Sequence, residues 1–412
     1  MNYTEALSWI YGTQHHGIKP GLAAIRRLMG ELGFEGKAQR FIHVAGTNGK
    51  GSVCAMIDAV CRAEGLHTGL YTSPHLVTYR ERIRLDGAMI SEEQTACGLT
   101  KIARLVAGWE PHPTFFEITT ALALDFFERQ QAEIVVLETG MGGRLDATNV
   151  LDPIVSVITA IDLDHQAWLG STLGEIAHEK AGIIKPGVPV VSSPQKAEAA
   201  GVLVKTAAEK NAPLEFVTEP LVKFPVGLAG SHQKLNAALA IAALSTGGVT
   251  VSESAIRKGL REVDWPGRFQ LINNRSSSFK NLIILDGAHN EAAANRLVLT
   301  WREVFGVEKA TLILGVLKDK DVTAVCRALL PIASACIVTP VRSERSSKAE
   351  ELQAIIRELA PGLDCQVAGG ISQAVGMAAL RGEKILVAGS LFLVGEALGV
   401  FEGRSGSEMS LQ

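Results

Sequence analysis

The residues of this chain with the clearest chemistry are Gly46-Thr47-Asn48-Gly49-Lys50-Gly51-Ser52, which follow the apolar run Phe41–Ala45. A glycine-rich turn between a strand and a helix exposes consecutive backbone N–H groups at the positive end of the helix dipole, and phosphate oxygens bind there. The helix is predicted by Val53, Met56, Ile57 and Val60, which recur at helical spacing, with Gly65 as its stop. Lys50 would add a cation to the turn, and Ser52 a hydroxyl within reach of a magnesium ion. The usual phosphate-loop pattern is matched only in part. Two residues separate Gly46 from Gly49, and Gly51 intervenes between Lys50 and Ser52. Taken alone, the run also fits an ordinary glycine-rich turn.

Three further groups stand where similar chemistry could use them. Glu138 ends the apolar run Ile134–Leu137 and precedes Thr139-Gly140-Met141-Gly142-Gly143. His165 follows the run Val155–Ala160 through Asp162-Leu163-Asp164. In a parallel sheet, ligands bind beyond the carboxyl ends of the strands, so the turn, Glu138 and His165 would converge on one edge. Glu138 suits magnesium, an oxygen-seeking ion, whereas His165 alone reads as a loop or core histidine. Thr172-Leu173-Gly174-Glu175 has the pattern of a capping box, and the helix it opens carries Glu179 and Lys180 and stops near Gly182. Without further information those two residues read as a solvated helix end.

These groups need a scaffold, and the pattern of the chain supplies one. Short apolar runs at Phe41–Ala45, Ile134–Leu137, Val155–Ala160, Val188–Ser192, Leu282–Leu285, Thr311–Leu314, Ala335–Val338 and Ile385–Ala388 alternate with amphipathic stretches. Runs apolar at every position are parallel strands covered on both faces, so the fold class is α/β. Asp264-Trp265-Pro266-Gly267 interrupts the series, and Phe269–Ile272 with Leu282–Leu285 reads as a hairpin around the polar turn Asn273–Ser278. The expected organisation is a larger P-loop-type domain over residues 1–265, a smaller Rossmann-like α/β domain over 266–402 and a flexible tail over 403–412.

Composition narrows the function classes. Across 412 residues, 40 Lys and Arg oppose 43 Asp and Glu for a net charge of -3, so nothing favours a nucleic-acid partner. Of six cysteines none forms a C-x-x-C pair, and Cys54 and Cys61 fall on one face of the predicted helix as small core residues. That argues against a disulfide framework or zinc site. The start of the chain has no basic segment leading into an apolar one, and Ile385–Val394 is too short to span a bilayer. The expectation is a cytoplasmic protein with no membrane partner.

In this order along the chain, Gly17-Ile18-Lys19-Pro20-Gly21, the phosphate turn, Thr72-Ser73-Pro74-His75-Leu76, Glu81-Arg82-Ile83, Phe116-Glu117-Ile118-Thr119, Glu138 through Asn149, Asp164-His165, Glu179-Lys180-Ala181-Gly182, His232 through Asn236, Trp265-Pro266-Gly267-Arg268 and Asp286-Gly287-Ala288-His289-Asn290 resemble the folylpolyglutamate and dihydrofolate synthases, relatives of the Mur ligases. The resemblance runs from Ala6 to Ser390, and its departures are modest. Met141, for example, stands where Leu is commoner, a volume-conserving change.

The resemblance implies residue roles. Ser52, Ser73, Glu138 and His165 become the magnesium set, which reverses the reading of His165 taken alone. Lys180 becomes a lysine carried as its carbamate. Thr47, Asn48, Gly49, Lys50, Gly51 and Ser52 hold ATP phosphates, Asn236 and Asp286 contact adenine and ribose, and Arg268 and His289 act near the phosphates. Ser390 is linked to activity, and Phe115, Arg144 and Asp146 contact pterin or pteroate. The implied activity is ATP-dependent ligation of L-glutamate to dihydropteroate and to reduced folates through an acyl phosphate, in a monomer with two magnesium sites. The region from Phe115 to Glu117 and the loop Gly143–Asp146 resemble those of members that use both acceptors. The alternatives are a synthase acting on folates alone, a muropeptide ligase, or a non-catalytic ATP-binding protein. Muropeptide ligases carry an extra N-terminal domain, and only about 45 residues precede Gly46 here. A non-catalytic protein would not need Glu138, His165 and Lys180 together.

The turn makes a direct prediction. Lys50→Ala should lower turnover at least roughly 100-fold, about 2.7 kcal/mol of barrier, without loss of the fold. Steady-state ADP release from purified variant checks it, and near-wild-type turnover would rule out the assignment.

Overall fold

The computed structural model describes residues 1–17, 21–272, 281–381 and 384–401. Part of the motif Gly17–Gly21, the turn Asn273–Ser278 and the tail therefore fall outside the described residues. Among the described residues fourteen strands form two sheets: β1 Arg40–Ala45, β2 Thr68–Tyr71, β3 Ile83–Leu85, β4 Ala88–Met89, β5 Ile134–Glu138, β6 Val155–Ile158, β7 Val190–Ser192 and β8 Leu214–Phe216, then β9 Gln270–Ile272, β10 Ile283–Leu285, β11 Ala310–Leu314, β12 Ala333–Val338, β13 Cys365–Val367 and β14 Lys384–Ala388. The first sheet has the order β4-β3-β2-β5-β1-β6-β7-β8 and the second β13-β12-β11-β14-β10-β9. Pairing is parallel from β2 to β8, with β3 and β4 added antiparallel at one edge. In the second sheet only β9 is antiparallel, which confirms the hairpin with β10.

The first sheet is buried on both faces. Ile42 and Val44 of β1 pack toward a core with Val53, Met56, Ile57 and Val60 of the helix Lys50–Glu64, while Phe41 faces a second core with Ile118 and Leu122 of the helix Phe115–Arg129. Burial of such side chains is worth roughly 1.5–3 kcal/mol each, and it holds the strand ends rigid. Gly65 stops the first helix in the left-handed region at φ 91°. Cys54 and Cys61 are buried in its core face, as their spacing implied.

Some expected boundaries move, for physical reasons. The run Val155–Ala160 leaves the ladder after Ile158, because the Ala160 carbonyl turns to accept from the Thr47 and Asn48 N–H groups at 2.8 and 3.1 Å. The strand expected from Val188 starts at Val190, since the Val188 N–H closes a turn onto Lys185. Strands β2, β3, β4, β8 and β13 were not foreseen; each has five or fewer residues, too few to show a period. The turn between β3 and β4 is Asp86-Gly87, a hairpin signal that could have been read. Among the described residues no helix is long and apolar enough to cross a membrane.

The helix Glu253–Glu262 crosses the helix Lys50–Glu64 at Gly259, where an added Cβ would lie 2.6 Å from the Val60 Cα and 2.7 Å from the Ala59 carbonyl oxygen. Backbone cannot yield as a side chain can. Gly259→Ala should therefore cost about 1–3 kcal/mol of stability by forcing the helices apart. Urea unfolding checks this, and an unchanged midpoint would show that the crossing is looser than its geometry indicates.

Candidate active site

The phosphate turn is built where β1 ends. Gly46 has φ 150°, and a Cβ there would lie 1.9 Å from the Thr159 hydroxyl oxygen, so no other residue fits. Gly49, at φ 93°, precedes the helix, whose first bond runs from the Val53 N–H to the Gly49 carbonyl. The N–H groups of Lys50, Gly51 and Ser52 thus have no acceptor within the helix and stand ready for an anion. Lys50 Nζ donates to the Gly46 and Thr47 carbonyls at 3.1 and 3.2 Å. The Thr47 hydroxyl and the Asp162 backbone brace the far side of the turn at 3.0 and 3.1 Å. Trp265 lies against Gly51, where an added Cβ would come within 2.8 Å of its ring nitrogen.

Glu138, at the end of β5, pairs in register with Val44 of β1, two residues before Gly46. Its carboxylate is buried and accepts from the Ser73 N–H at 3.1 Å. Burial raises the Glu138 pKa, opposed chiefly by the charge of Lys50. Ser52 is buried at the helix start, with Gln233 Nε2 at 3.4 Å from its hydroxyl. His165 has φ 50°, and burial followed by the Lys320 charge pushes its pKa down to about 3. A neutral ring keeps a lone pair for a metal. A buried carboxylate at a strand end beside the phosphate turn fits a hard divalent cation. Among the described residues no three His, Cys, Asp or Glu side chains gather into a metal site of their own.

Lys180 is not at a solvated helix end. Its side chain is 3% exposed and donates to the Gly46 carbonyl at 2.7 Å. Burial, then the charge of Lys50, lowers its pKa to about 7. The expected capping box is present, with the Thr172 hydroxyl accepting from Glu175 N–H at 3.2 Å. Glu179 holds Arg144 through its carboxylate at 2.8 and 3.1 Å, and its carbonyl accepts the Arg144 N–H at 2.7 Å.

The loop Gly140–Asn149 is tied together by Asp146. One carboxylate oxygen accepts from the N–H groups of Gly140 and Met141 at 2.9 and 3.0 Å; the other accepts from the Thr148 N–H and hydroxyl at 3.0 and 2.5 Å. The hydroxyl oxygen of Thr148 then accepts from His43 Nε2 at 2.7 Å. Burial, then Lys185, pushes the His43 pKa to about 3, so its ring is neutral. Phe115 does not face this loop. It is buried, stacked on Tyr11 with ring centres 5.9 Å apart and edge-on to Tyr79. Adjacent residues of a helix diverge in direction, and it is half-buried Phe116 whose ring meets Gly140, where a Cβ would come within 2.5 Å. The ring at this loop is Phe116.

Of the remaining groups, Asn236 comes from the helix Ser231–Thr246 of the first domain and the others from loops of the second sheet. Asn236 lies beside Gly49, 3.1 Å from where a Cβ would stand, and its amide donates to Gln233 at 2.9 Å. Asp286, after β10, accepts from the N–H groups of Phe269 and Ala288 at 2.9 and 2.8 Å. Burial raises its pKa, opposed by Arg268. Arg268 lies beside Gly287, and its guanidinium donates to the Gly267 carbonyl at 3.1 Å. Ser390 is buried, and its hydroxyl accepts the Phe392 N–H at 3.1 Å at the start of the helix Leu391–Phe401. His289 Nδ1 donates to the Gly287 carbonyl at 2.8 Å, and its Nε2 points to Asp164 at 3.5 Å. Burial alone would raise the Asp164 carboxyl; the His289 bond and the His289 and Lys320 charges overcome this and hold it well below the usual range. Lys320 and Asn290 had no role assigned from sequence. In Lys318-Asp319-Lys320-Asp321 the charges alternate and read as a solvated turn.

Residues 44–189 match the Mur ligase middle domain and residues 267–391 the Mur ligase glutamate ligase domain. The chain is 37% identical over 382 residues to the dihydrofolate synthase/folylpolyglutamate synthase of Bacillus subtilis, covering 85% of this chain and 88% of that one. It superimposes on E. coli FolC in complex with DHPP and ADP with a TM-score of 0.87 at 31% identity, covering 98% of both chains. Bifunctional folylpolyglutamate synthase/dihydrofolate synthase from Yersinia pestis, complexed with AMPPNP and Mn ion, gives 0.86 at 30% identity over 98% of both chains. The phosphate turn, Glu138 and Lys180 are thus set in a known frame, and the chain belongs to the dihydrofolate synthase/folylpolyglutamate synthase family of ATP-dependent, amide-forming Mur-type ligases.

Proposed function

We propose that the chain joins L-glutamate to two acceptors, dihydropteroate and reduced folates, at one active site. The observation that carries this reading is the convergence of the phosphate turn, the buried Glu138 and the buried Lys180 at the ends of β1 and β5. Two substrate-bound relatives, one holding DHPP with ADP and the other AMPPNP with Mn ion, support it. Residues 1–265 form the ATP- and folate-binding domain, and 266–402 the ligase domain that completes the site. The protein acts as a monomer in the cytoplasm, consistent with six free cysteines.

ATP lies with its phosphates on Thr47–Ser52, its adenine near Asn236 and its ribose near Asp286. Ser52, Ser73, Glu138 and His165 would hold magnesium, in two sites, which supplies positive charge to the phosphate oxygens. The acceptor carboxylate attacks the γ-phosphorus in line, the bond to the bridging oxygen breaks, and ADP leaves an acyl phosphate. The uncharged amine of glutamate then attacks the acyl carbon. The tetrahedral intermediate expels phosphate and the amine proton passes to solvent or phosphate. Lys50, Arg268 and His289 stabilise charge on the transferring group. The loop Gly140–Asn149, with Phe116 above it and Arg144 and Asp146 within it, cradles the acceptor. Ser390 fixes the helix beside the site.

Lys180 acts as its carbamate. A neutral amine adds to CO₂ with loss of one proton, and a pKa near 7 makes that amine available at neutral pH. The product is an anion, which relieves the repulsion an ammonium would feel beside a divalent cation.

The first test is glutamate-dependent ADP release measured with dihydropteroate and with a reduced folate. Turnover with both is expected. Turnover with folate alone would leave a synthase of folates only, and ATP binding without turnover would overturn the ligase reading. The second concerns Lys180. Lys180→Ala should lose most activity, and short carboxylic acids should restore part of it. Protonation removes the neutral amine, so in CO₂-depleted buffer reactivation by bicarbonate should weaken as pH falls through about 7. Carbon NMR with labelled bicarbonate reads the modification, and its absence from fully active enzyme would exclude it.

A further inference from the structure

Beside the bonds that Glu303 accepts from the Ser231 N–H and hydroxyl at 2.8 and 2.6 Å, the two domains touch through two contacts of unlike kind. One is apolar and tight: Leu76 and Val77 of the first domain pack into a core of the second, and a Cβ on Gly395 would lie 2.0 Å from the Leu76 carbonyl oxygen. The other is polar and centres on Asp164. Its carboxylate receives Lys320 Nζ at 2.5 Å and the Asn290 amide at 3.1 Å, and faces His289 Nε2 at 3.5 Å. All three groups come from the second domain. Asn290 also exchanges amide bonds with Asn48 of the phosphate turn at 3.2 and 3.3 Å, and its oxygen caps the helix Glu291–Phe305 through the Ala293 N–H at 2.9 Å. The bond to Asp164 fixes which end of that amide is the donor, because a carboxylate can only accept.

This pair is not a surface ion pair of little consequence. The side chains of Lys320 and Asp164 are 6% and 7% exposed. Removing two charges from water is costly, and an apolar pair would often stabilise as well. A buried pair that spans two domains beside the phosphate turn is better explained by what it aligns.

We propose that Asp164 and Lys320 are positioning residues for the ligase reaction: the Asp164 carboxylate gathers Lys320, Asn290 and His289 and thereby sets the second domain against the phosphate turn. Leu76 and Gly395 form the fixed side of the junction, and Asp164 with Lys320 its catch. The catalytic part of this inference rests on the ligase reading; the geometric part does not.

The test uses full-length Lys320→Met, Asp164→Asn, the double variant and Lys320→Arg. Turnover in each single variant should fall at least about tenfold while the ATP KM changes less than about threefold, since the lost interaction aligns the transition state rather than binding ATP. The double variant should be no more than about twofold slower than the worse single variant, because both remove one interaction. Lys320→Arg should recover part of the rate. Small-angle scattering with AMPPNP should give a larger radius of gyration for Lys320→Met than for wild type. Wild-type turnover in Lys320→Met, multiplicative losses in the double variant, or a loss confined to ATP KM would overturn the proposal, the last by making Lys320 a direct phosphate contact. If Lys320→Met does not fold, as thermal unfolding would show, Lys320→Gln provides the same comparison. Scattering stays decisive even if wild type turns over neither acceptor: an unchanged radius sinks the catch, whereas missing turnover sinks only the substrate reading.

Discussion

Two lysines share one carbonyl oxygen. Lys50 and Lys180 both donate to Gly46 O, at 3.1 and 2.7 Å. Burial, and after it the charge of Lys50, lowers the Lys180 pKa to about 7. The arrangement requires Gly46 at a φ only glycine adopts readily, with the Thr159 hydroxyl filling the place of a side chain. It also requires the helix Leu173–Ala181 to end against the turn. Around this one oxygen the chain brings together an anion site and an amine in its reactive form.

The same electrostatic logic extends outward. Glu138 is buried, and burial raises its proton affinity against the charge of Lys50. A cation and the phosphates it accompanies would oppose that rise and match the positive groups opposite. Asp164 is the contrary case. It too is buried, yet its donors hold it ionised. One carboxylate is left needing a partner and the other is supplied with several. That difference separates a group kept for a ligand from one used in assembly.

Legibility in the sequence followed the range of the interactions. Strands β1, β5, β11 and β14 were readable because their apolar residues mostly follow one another instead of alternating with polar ones, as two-sided burial demands. Gly46–Ser52 was readable because glycine spacing is local. Short edge strands such as β4 and β13 were not, since pairing rather than composition makes them strands. Lys180 and His165 had meaning only through resemblance: the burial that lowers their proton affinity comes from segments distant in the chain. Lys320 was hidden by its charged neighbours, and its partner Asp164 lies 156 positions away. Phe115 and Phe116 show the finest limit. The helix was evident, but which ring faced the loop depended on how that helix is rotated against β5.

Strand β1 joins the two halves of the site. Its end becomes the phosphate turn, and two residues before Ala45 it carries His43. The His43 N–H reaches Thr148, Thr148 reaches Asp146, and Asp146 gathers the Gly140 and Met141 N–H groups. Because the Thr148 hydroxyl donates to the carboxylate, its oxygen must accept from His43, so Nε2 carries a proton. Burial keeps the ring neutral, which leaves that proton as its only one. The loop Gly140–Asn149 is thereby referenced to the same rigid strand as the phosphate turn. In-line transfer tolerates displacements of only a fraction of an ångström, and a single strand buried on both faces meets that tolerance better than two independent loops could.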